Sequence, residues 1–410
     1  MPNCNFCKAP LTHIFCDLGH QPPSNAFLNK NQLEMPEIYY PLKVYVCNKC
    51  WLVQLPKCTG NLFTDDYPYY SSQSPSNVKH AREYVDMMLL RFKSELLNHN
   101  SHVLEIGSND GYLLQWFVKK GIDCLGIDPV RGMWEESQKK GVSTLEEFFS
   151  VNLVKTKTGL KDFDLIGGIN VLAHQPDIND FVEGLRIALK PGGVITMEFP
   201  HLMRLVEGNQ FDTVYHEHYS YFSLFVICKV FEQHGLSIFD AEILPEHGGS
   251  LRIYAEHTGQ LRHPTTGKVG ELLEQELKEG IDTLKYYQGF QEKIEILRKN
   301  FLNFLVNLPK NKTIVAYGAP AKGNTFLNYC QPVGTLVSIP FTVDRSPYKQ
   351  NKYLPGSHIR VTNGDELKAY RPDYVVILAW NLRKEIMEQL YYIREWGGKF
   401  IVAIPGLEVI

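Results

Sequence analysis

The sequence predicts an α/β protein built from three consecutive units. Three compositional observations carry that prediction. Residues 1–65 are rich in Cys, Pro and Asn and show little helical periodicity. Residues 66–240 alternate short apolar runs with amphipathic stretches, the pattern of a strand–helix series. Residues 241–410 open on the turn-rich Pro245-Glu246-His247-Gly248-Gly249-Ser250, carry a polar helical stretch near 270–308, and end in a second strand–helix series.

Composition bounds the class. A chain of 410 residues has room for two or three domains at roughly 150 residues each. The net charge of −3 sets up no field for nucleic acid or acidic membranes, so neither is an expected partner. No run of about 18 apolar residues predicts a membrane span. Met1-Pro2-Asn3-Cys4 is not the start of a signal peptide, so a reducing, cytoplasmic setting is expected. Nine cysteines in that setting point to metal ligands or buried thiols rather than disulfides.

In the first unit, Cys4-x2-Cys7 and Cys47-x2-Cys50 are two metal-binding knuckles. Each places two thiolates on one tight turn, and two such turns complete a tetrahedral Cys4 shell for Zn²⁺. Four protein ligands leave no open position, so the metal is structural. Cys16 and Cys58 are spare thiols able to replace one ligand. The long gap between knuckles, with Pro22-Pro23 and Pro36, requires a loop or extra strands. Tyr67-Pro68-Tyr69-Tyr70-Ser71-Ser72 then links the first unit to the second. Three tyrosines in four positions imply rings that pack or hydroxyls that contact a ligand.

The second unit opens on the strand Val103-Leu104-Glu105-Ile106, followed by Gly107-Ser108-Asn109-Asp110-Gly111 and a helix from Tyr112. The glycines let the backbone pass close to a ligand at the carboxyl end of a strand. The next strand, Cys124-Leu125-Gly126-Ile127, ends at Asp128, where a carboxylate suits the two hydroxyls of a ribose. The spacing is E-x-G-x-x-x-G rather than G-x-G-x-x-G, which favours S-adenosylmethionine over a dinucleotide. The stretch from Asp164 to His174 reads as the fourth strand and its exit loop, with Asn170 and His174 on the loop. Pro176-Asp177 opens a helix that Lys190-Pro191-Gly192-Gly193 closes. This order is similar to class I, Rossmann-like methyltransferases. Glu105, Gly107, Ser108, Asn109, Gly111, Asp128, Asn170 and His174 are its candidate cofactor residues.

Tyr215-His216-Glu217-His218 concentrates ionisable groups near the end of this unit. A strand would divide the four between two faces and a helix would spread them around its axis, so an irregular loop or strand end is expected. His-x-His raises a metal site, but no third ligand stands at familiar spacing. General acid–base work is the better reading, because histidine titrates near neutral pH. Glu217 is either an orienting group or the base itself.

In the third unit the strand Thr313-Ile314-Val315-Ala316-Tyr317 runs into Gly318-Ala319-Pro320-Ala321-Lys322-Gly323-Asn324-Thr325 and a helix. A strand, a glycine loop with a lysine and a helix N-terminus form the physical pattern of a phosphate cradle. Later strands at 341–344, 373–379 and 400–404 make this a second Rossmann-like unit.

Taken in order, the two knuckles, the tyrosine linker, the 105–111 loop, Tyr215-His216-Glu217-His218 and the 318–324 loop resemble the deoxysugar C-methyltransferases. These act on nucleotide-linked 4-keto-6-deoxysugars, typically at C-3. The resemblance covers essentially the whole chain. It implies His218 as the base, with Tyr69, Tyr215 and Glu217 lining the same site; His216 or Tyr215 is expected to donate to the enolate that develops. It also implies that the last unit holds a dTDP- or GDP-linked keto-deoxysugar, for which Tyr70, Lys322, Gly323 and Asn324 are the candidates. The expected cofactors are S-adenosylmethionine and structural Zn²⁺, and the expected state is a monomer. N- or O-methylation of a nucleotide sugar, and a non-catalytic S-adenosylmethionine-binding scaffold, are the alternatives.

Overall fold

The computed structural model describes residues 2–57, 62–63, 67–97, 100–260, 262–330 and 339–410. Strand β1 (His13–Gln21) buries Phe15, Cys16 and Leu18, and β2 (Tyr40–Val46) buries Leu42, Val44 and Val46 at every second position. That period-two pattern gives a sheet with one apolar face. The two pair antiparallel, from His13 opposite Val46 to Gln21 opposite Tyr40, and β3 (Val53–Gln54) extends the sheet. The gap between the knuckles is therefore two strands joined by a loop over 22–39, with one short helical turn at Lys30–Gln32. Cys16 lies in the apolar core, remote in role from a ligand; Cys58 lies outside the described residues.

Strands β4 (His102–Ile106), β5 (Asp123–Ile127), β6 (Ser143–Leu145), β7 (Phe163–Ile169) and β8 (Leu189–Pro200) run parallel. The helix expected after Asp177 spans Ile178–Ala188, with the Asp177 carboxylate accepting from the Asn179 and Asp180 amides. Its closing Lys190-Pro191-Gly192-Gly193 already belongs to β8. The two-residue β9 (Ser220–Tyr221) leaves this sheet and pairs with β3 of the first one. Strands β10 (Leu236–Leu244) and β11 (Ser250–His257) then add antiparallel beside β8, giving the order β10-β11-β8-β7-β4-β5-β6. The sheet thus continues through the turn-rich segment at 245–250 and ends at His257.

The helical stretch near 270–308 is three helices, Gly267–Glu279, Leu284–Tyr287 and Phe290–Val306. Gly280 stops the first in the left-handed conformation, φ 85°, which a side chain would resist. The last of the three packs on the first unit, where the Phe290 ring stacks on Phe15 at 4.5 Å. Such a pair adds about 0.5–1.5 kcal/mol beyond its burial. Strands β12 (Ile314–Tyr317), β13 (Phe341–Val343), β14 (Arg360–Thr362), β15 (Tyr374–Ile377) and β16 (Lys399–Val402) are parallel, and β17 (Glu408–Val409) closes antiparallel. Their order, β14-β13-β12-β15-β16-β17, repeats the β6-β5-β4-β7-β8 arrangement of the middle unit. Each sheet has a switch point at its first strand, and ligands of such folds sit outside the carboxyl ends there. Among the described residues no helix is long and apolar enough to cross a membrane.

Candidate active site

Tyr215-His216-Glu217-His218 forms an irregular turn, closed by the His218 amide donating to the Tyr215 carbonyl at 2.9 Å. His218 Nδ1 lies 2.8 Å from the Thr213 carbonyl. A carbonyl can only accept, so Nδ1 carries the proton and Nε2 is left with its lone pair. The Tyr215 hydroxyl donates to that Nε2 at 2.7 Å. Burial, with His174 next in effect, holds the His218 imidazole well below its ordinary range, so it is neutral at pH 7.

His174 stands edge-on to His218, ring centroids 4.8 Å apart, and its Nδ1–H donates to the Glu217 carbonyl at 2.8 Å. Burial lowers His174 to about 4. The Glu217 carboxylate accepts from Asn25 Nδ2 at 2.8 and 2.9 Å and from the Tyr67 hydroxyl at 2.8 Å. Burial pushes Glu217 up to about 7 against those donors. His216 is not brought into this group. It faces the first sheet, with its Nε2 at 3.2 Å from the Tyr40 carbonyl and its ring edge-on to Tyr40.

Lys322 reaches the site from the third unit. Its Nζ donates to Asn381 Oδ1 at 3.3 Å and lies over the Trp380 ring at 5.1 Å. Its charge acts on Asp212, His218 and His247, and burial lowers its own pKa. Asp212 accepts from Trp380 Nε1 at 2.7 Å and is pushed up to about 6 by burial. Tyr69, 40% exposed, accepts from Asn77 Nδ2 at 3.0 Å. Tyr70 is set apart, stacked on Tyr348 at 4.0 Å. Gly323 has a packing reason to be glycine, since a Cβ there would meet Leu378 at 2.8 Å. Asn324 is buried, and both ends of its amide have no partner among the described residues.

The loop after β4 gathers buried acceptors beside a close glycine. Gly107 has φ +68°, and a Cβ there would meet Val171 at 3.1 Å, so the backbone passes close to the β7 exit. Asp128 accepts the Asn109 amide at 2.9 Å and the Val130 amide at 3.0 Å, and burial raises it to about 6. Glu105 is buried with neither carboxylate oxygen partnered among the described residues, and Ser108 Oγ is likewise unpartnered. Ser71 and Tyr69 of the linker dock on the same loop, through Ser71 N to Asn109 Oδ1 at 2.8 Å and Asn109 Nδ2 to the Tyr69 carbonyl at 3.0 Å. Asn170 Nδ2 donates to His247 Nε2 at 2.9 Å. These unsatisfied acceptors and close glycines fit S-adenosylmethionine.

The loop after β12 repeats the arrangement. Asp344 accepts the Ala319 amide at 2.7 Å and the Ser346 amide at 2.8 Å, as Asp128 does in the middle unit. Lys349 Nζ donates to the Ala319 carbonyl at 2.9 Å.

Cys4, Cys7, Cys47 and Cys50 bring their sulfurs within 4.8 Å of one another, with Cys4–Cys50 and Cys7–Cys47 at 3.5 Å. Ligands at 2.3 Å around tetrahedral zinc span edges of about 3.8 Å, so the set fits Zn²⁺. Gln54 Nε2 donates to Cys4 Sγ at 3.1 Å and steadies the thiolate from outside. A second His-carboxylate group, His80 with Glu198 and Glu246, differs in kind. Arg252 already pairs with Glu198 at 2.8 Å, and both His80 nitrogens face carboxylates.

Asn25, His247, Asp212 and Asp344 are the groups that sequence reasoning missed. Only Asp344 had a local signal, an acidic strand end after a glycine loop.

Residues 245–405 match the family model of the C-methyltransferase C-terminal domain, and residues 78–240 match a methyltransferase domain. Residues 4–60 match the model described as "Putative zinc binding domain". The chain is 35% identical over 379 residues to C-methyltransferase NovU of Streptomyces niveus, covering 91% of this chain and 88% of that protein. This chain belongs to the C-methyltransferase family. As in that family, the enzyme depends on S-adenosylmethionine, and its four knuckle cysteines are its zinc site. Two solved structures are also similar. Magnesium protoporphyrin IX methyltransferase of Synechocystis PCC 6803, with bound S-adenosylmethionine, is 16% identical, covering 45% of this chain and 82% of that one at TM-score 0.34. An S-adenosylmethionine-dependent methyltransferase of Clostridium acetobutylicum ATCC 824 is 13% identical, covering 44% and 92% at TM-score 0.35.

Proposed function

We propose that this C-methyltransferase methylates C-3 of a 4-keto-6-deoxysugar carried on dTDP or GDP. The observation that supports base chemistry is the pairing at His218: Nδ1 on the Thr213 carbonyl and Nε2 facing the Tyr215 hydroxyl. The 4-keto group acidifies the neighbouring C-3 hydrogen. The Tyr215 hydroxyl turns from Nε2 to the keto oxygen, which frees the Nε2 lone pair. His218 Nε2 takes the C-3 proton, and the C–H electron pair moves toward the keto oxygen, where the Tyr215 hydroxyl donates to the enolate that forms. Glu217, a carboxylate on the same turn, favours the positive charge arriving on His218. His216 faces Tyr40, which leaves Tyr215 as the enolate donor of the pair, with Tyr69 as a further hydroxyl in the cleft. S-adenosylmethionine, when bound, supplies an electrophilic methyl group, and alignment with C-3 provides much of the acceleration.

Asp128 is assigned to the ribose of the methyl donor, with Glu105, Ser108 and Asn170 as further polar contacts. Asp128→Ala is expected to weaken S-adenosylmethionine binding roughly 10- to 100-fold, the worth of hydrogen bonds to a charged group. Titration calorimetry reads this, and an unchanged Kd removes Asp128 from the site. The nucleotide of the sugar is assigned to the loop after β12, with Lys322 and Asn324 as donors and Tyr70 at the margin. The repeat of the Asp128 arrangement at Asp344 supports that assignment.

The test is product analysis. The enzyme is incubated with S-adenosylmethionine and a panel of dTDP- and GDP-linked 4-keto-6-deoxysugars, and the methyl position is read by NMR. A new carbon–carbon bond at C-3 is expected. A methyl on oxygen or nitrogen, or no product with any panel member, overturns the reading.

A further inference from the structure

The loop at 22–39 belongs to the zinc-bearing unit, yet its contacts lie elsewhere. Ser24 Oγ is 3.2 Å from Thr325 Oγ1 on the helix after β12. Leu28 and Tyr353 exchange both backbone hydrogen bonds, at 2.9 and 2.8 Å. Glu37 accepts the Gly356 amide at 2.9 Å and pairs with His358. The loop is thus a strap pinned to the third unit on either side of one residue, Asn25. Asn25 reaches the Tyr215–His218 turn, and its amide nitrogen meets both oxygens of Glu217.

The chemistry of this contact is one-sided. An amide NH₂ group donates and cannot accept, so it is satisfied by a carboxylate and opposed by a carboxylic acid whose proton faces it. The Tyr67 hydroxyl, itself 3.4 Å from Asn25 Nδ2, adds a third donor to the same carboxylate. The other charged or titratable groups around Glu217 are Lys349, whose charge favours the ionised form, Tyr215, and the adjoining His218, which burial keeps neutral; His174 meets its backbone carbonyl. Burial alone works against ionisation. The amide is also unable to transfer protons, which leaves holding and biasing Glu217 as its part.

We propose that Asn25 is a positioning residue for the reaction: it holds Glu217 as an oriented carboxylate, and the strap makes that hold depend on the third unit. The proposal rests on the C-methylation reading for its kinetic consequence and on geometry for the contact itself.

Asn25→Ala is expected to lower kcat about 10-fold or more with the KM for S-adenosylmethionine unchanged. Hydrogen bonds to an ionised group lower its pKa, so removing them raises it. The acid limb of the kcat–pH profile is therefore expected to move up by about one to two pH units. Asn25→Asp, of the same size, sets one carboxyl against another and is expected to move the limb at least as far. Zinc content and melting temperature of both variants report folding. A separate readout is the carboxyl C=O stretch of Glu217 in difference infrared spectra, assigned by its loss in Glu217→Gln. It is expected to titrate at higher pH in Asn25→Ala than in the unaltered enzyme. A Glu217 titration and pH profile that do not move overturn the proposal, even if activity falls. If the unaltered enzyme makes no C-methylated sugar while the infrared titration does shift, the activity reading fails and the hold on Glu217 stands.

Discussion

Replacing His218 with Asn is expected to lower methyl-transfer turnover by roughly 10²- to 10⁴-fold, the usual worth of a positioned general base. Asn keeps a donor able to reach the Thr213 carbonyl but has no basic lone pair to replace Nε2. Binding of S-adenosylmethionine should be unchanged, because, among the described residues, the partners of this imidazole are Thr213, Tyr215, His174 and Tyr221 and not the β4 loop or Asp128 to which the methyl donor is assigned. Single-turnover kinetics at saturating substrate separate the two effects. The large size of the loss follows from the arrangement around the ring. His218 is buried, neutral near pH 7 and fixed in one tautomer, so its Nε2 accepts a proton without a prior ionisation once the Tyr215 hydroxyl turns away from it. Near-complete turnover by the variant would move the base role to Glu217, whose carboxyl sits at about 7.

Removing zinc is expected to unfold the first unit and abolish activity in the same step. The free energy of structural zinc sites is large, about 10–16 kcal/mol in small zinc-finger peptides. Here the metal site connects to the reacting groups through a short path. Gln54 donates to Cys4 Sγ, accepts the Asn5 amide at 2.6 Å, and lies on β3. Strand β3 pairs with β9, which begins two residues after His218. Strong chelation, or Cys47→Ser, should therefore lower the melting temperature and the activity together, as followed by circular dichroism and zinc analysis. Activity lost with folding and melting temperature intact would give zinc a part in the chemistry.

The features legible in sequence were those fixed by neighbours in the chain. The knuckles, the glycine loops and the acidic strand end at Asp128 are local, and the structure builds them from adjacent residues. The turn at Tyr215-His216-Glu217-His218 was legible as irregular, but an irregular turn has no period from which to read directions. Only the fold shows that His216 faces Tyr40 while Tyr215 and His218 meet. Asn25 left no signal, because its partner is 192 positions away and its role depends on a strap pinned to the third unit. The antiparallel pair β10–β11 was hidden for a similar reason. The turn residues at 245–250 are visible as turns, but nothing in them shows that they connect two strands of one sheet. Asp344 carried the same local signal as Asp128, and its equivalence became plain once both carboxylates were seen holding two loop amides.

The central claim is that carbon is deprotonated before it is methylated, and exchange of the C-3 hydrogen tests it most directly. The enzyme is incubated in D₂O with a 4-keto-6-deoxysugar nucleotide that it turns over, without the methyl donor, and the C-3 proton signal is followed by NMR. Loss of that signal in the unaltered enzyme, at least 10²-fold slower in His218→Asn, is the predicted result. A C-3 proton retained by both proteins, with the methyl group later found on oxygen or nitrogen, would contradict it.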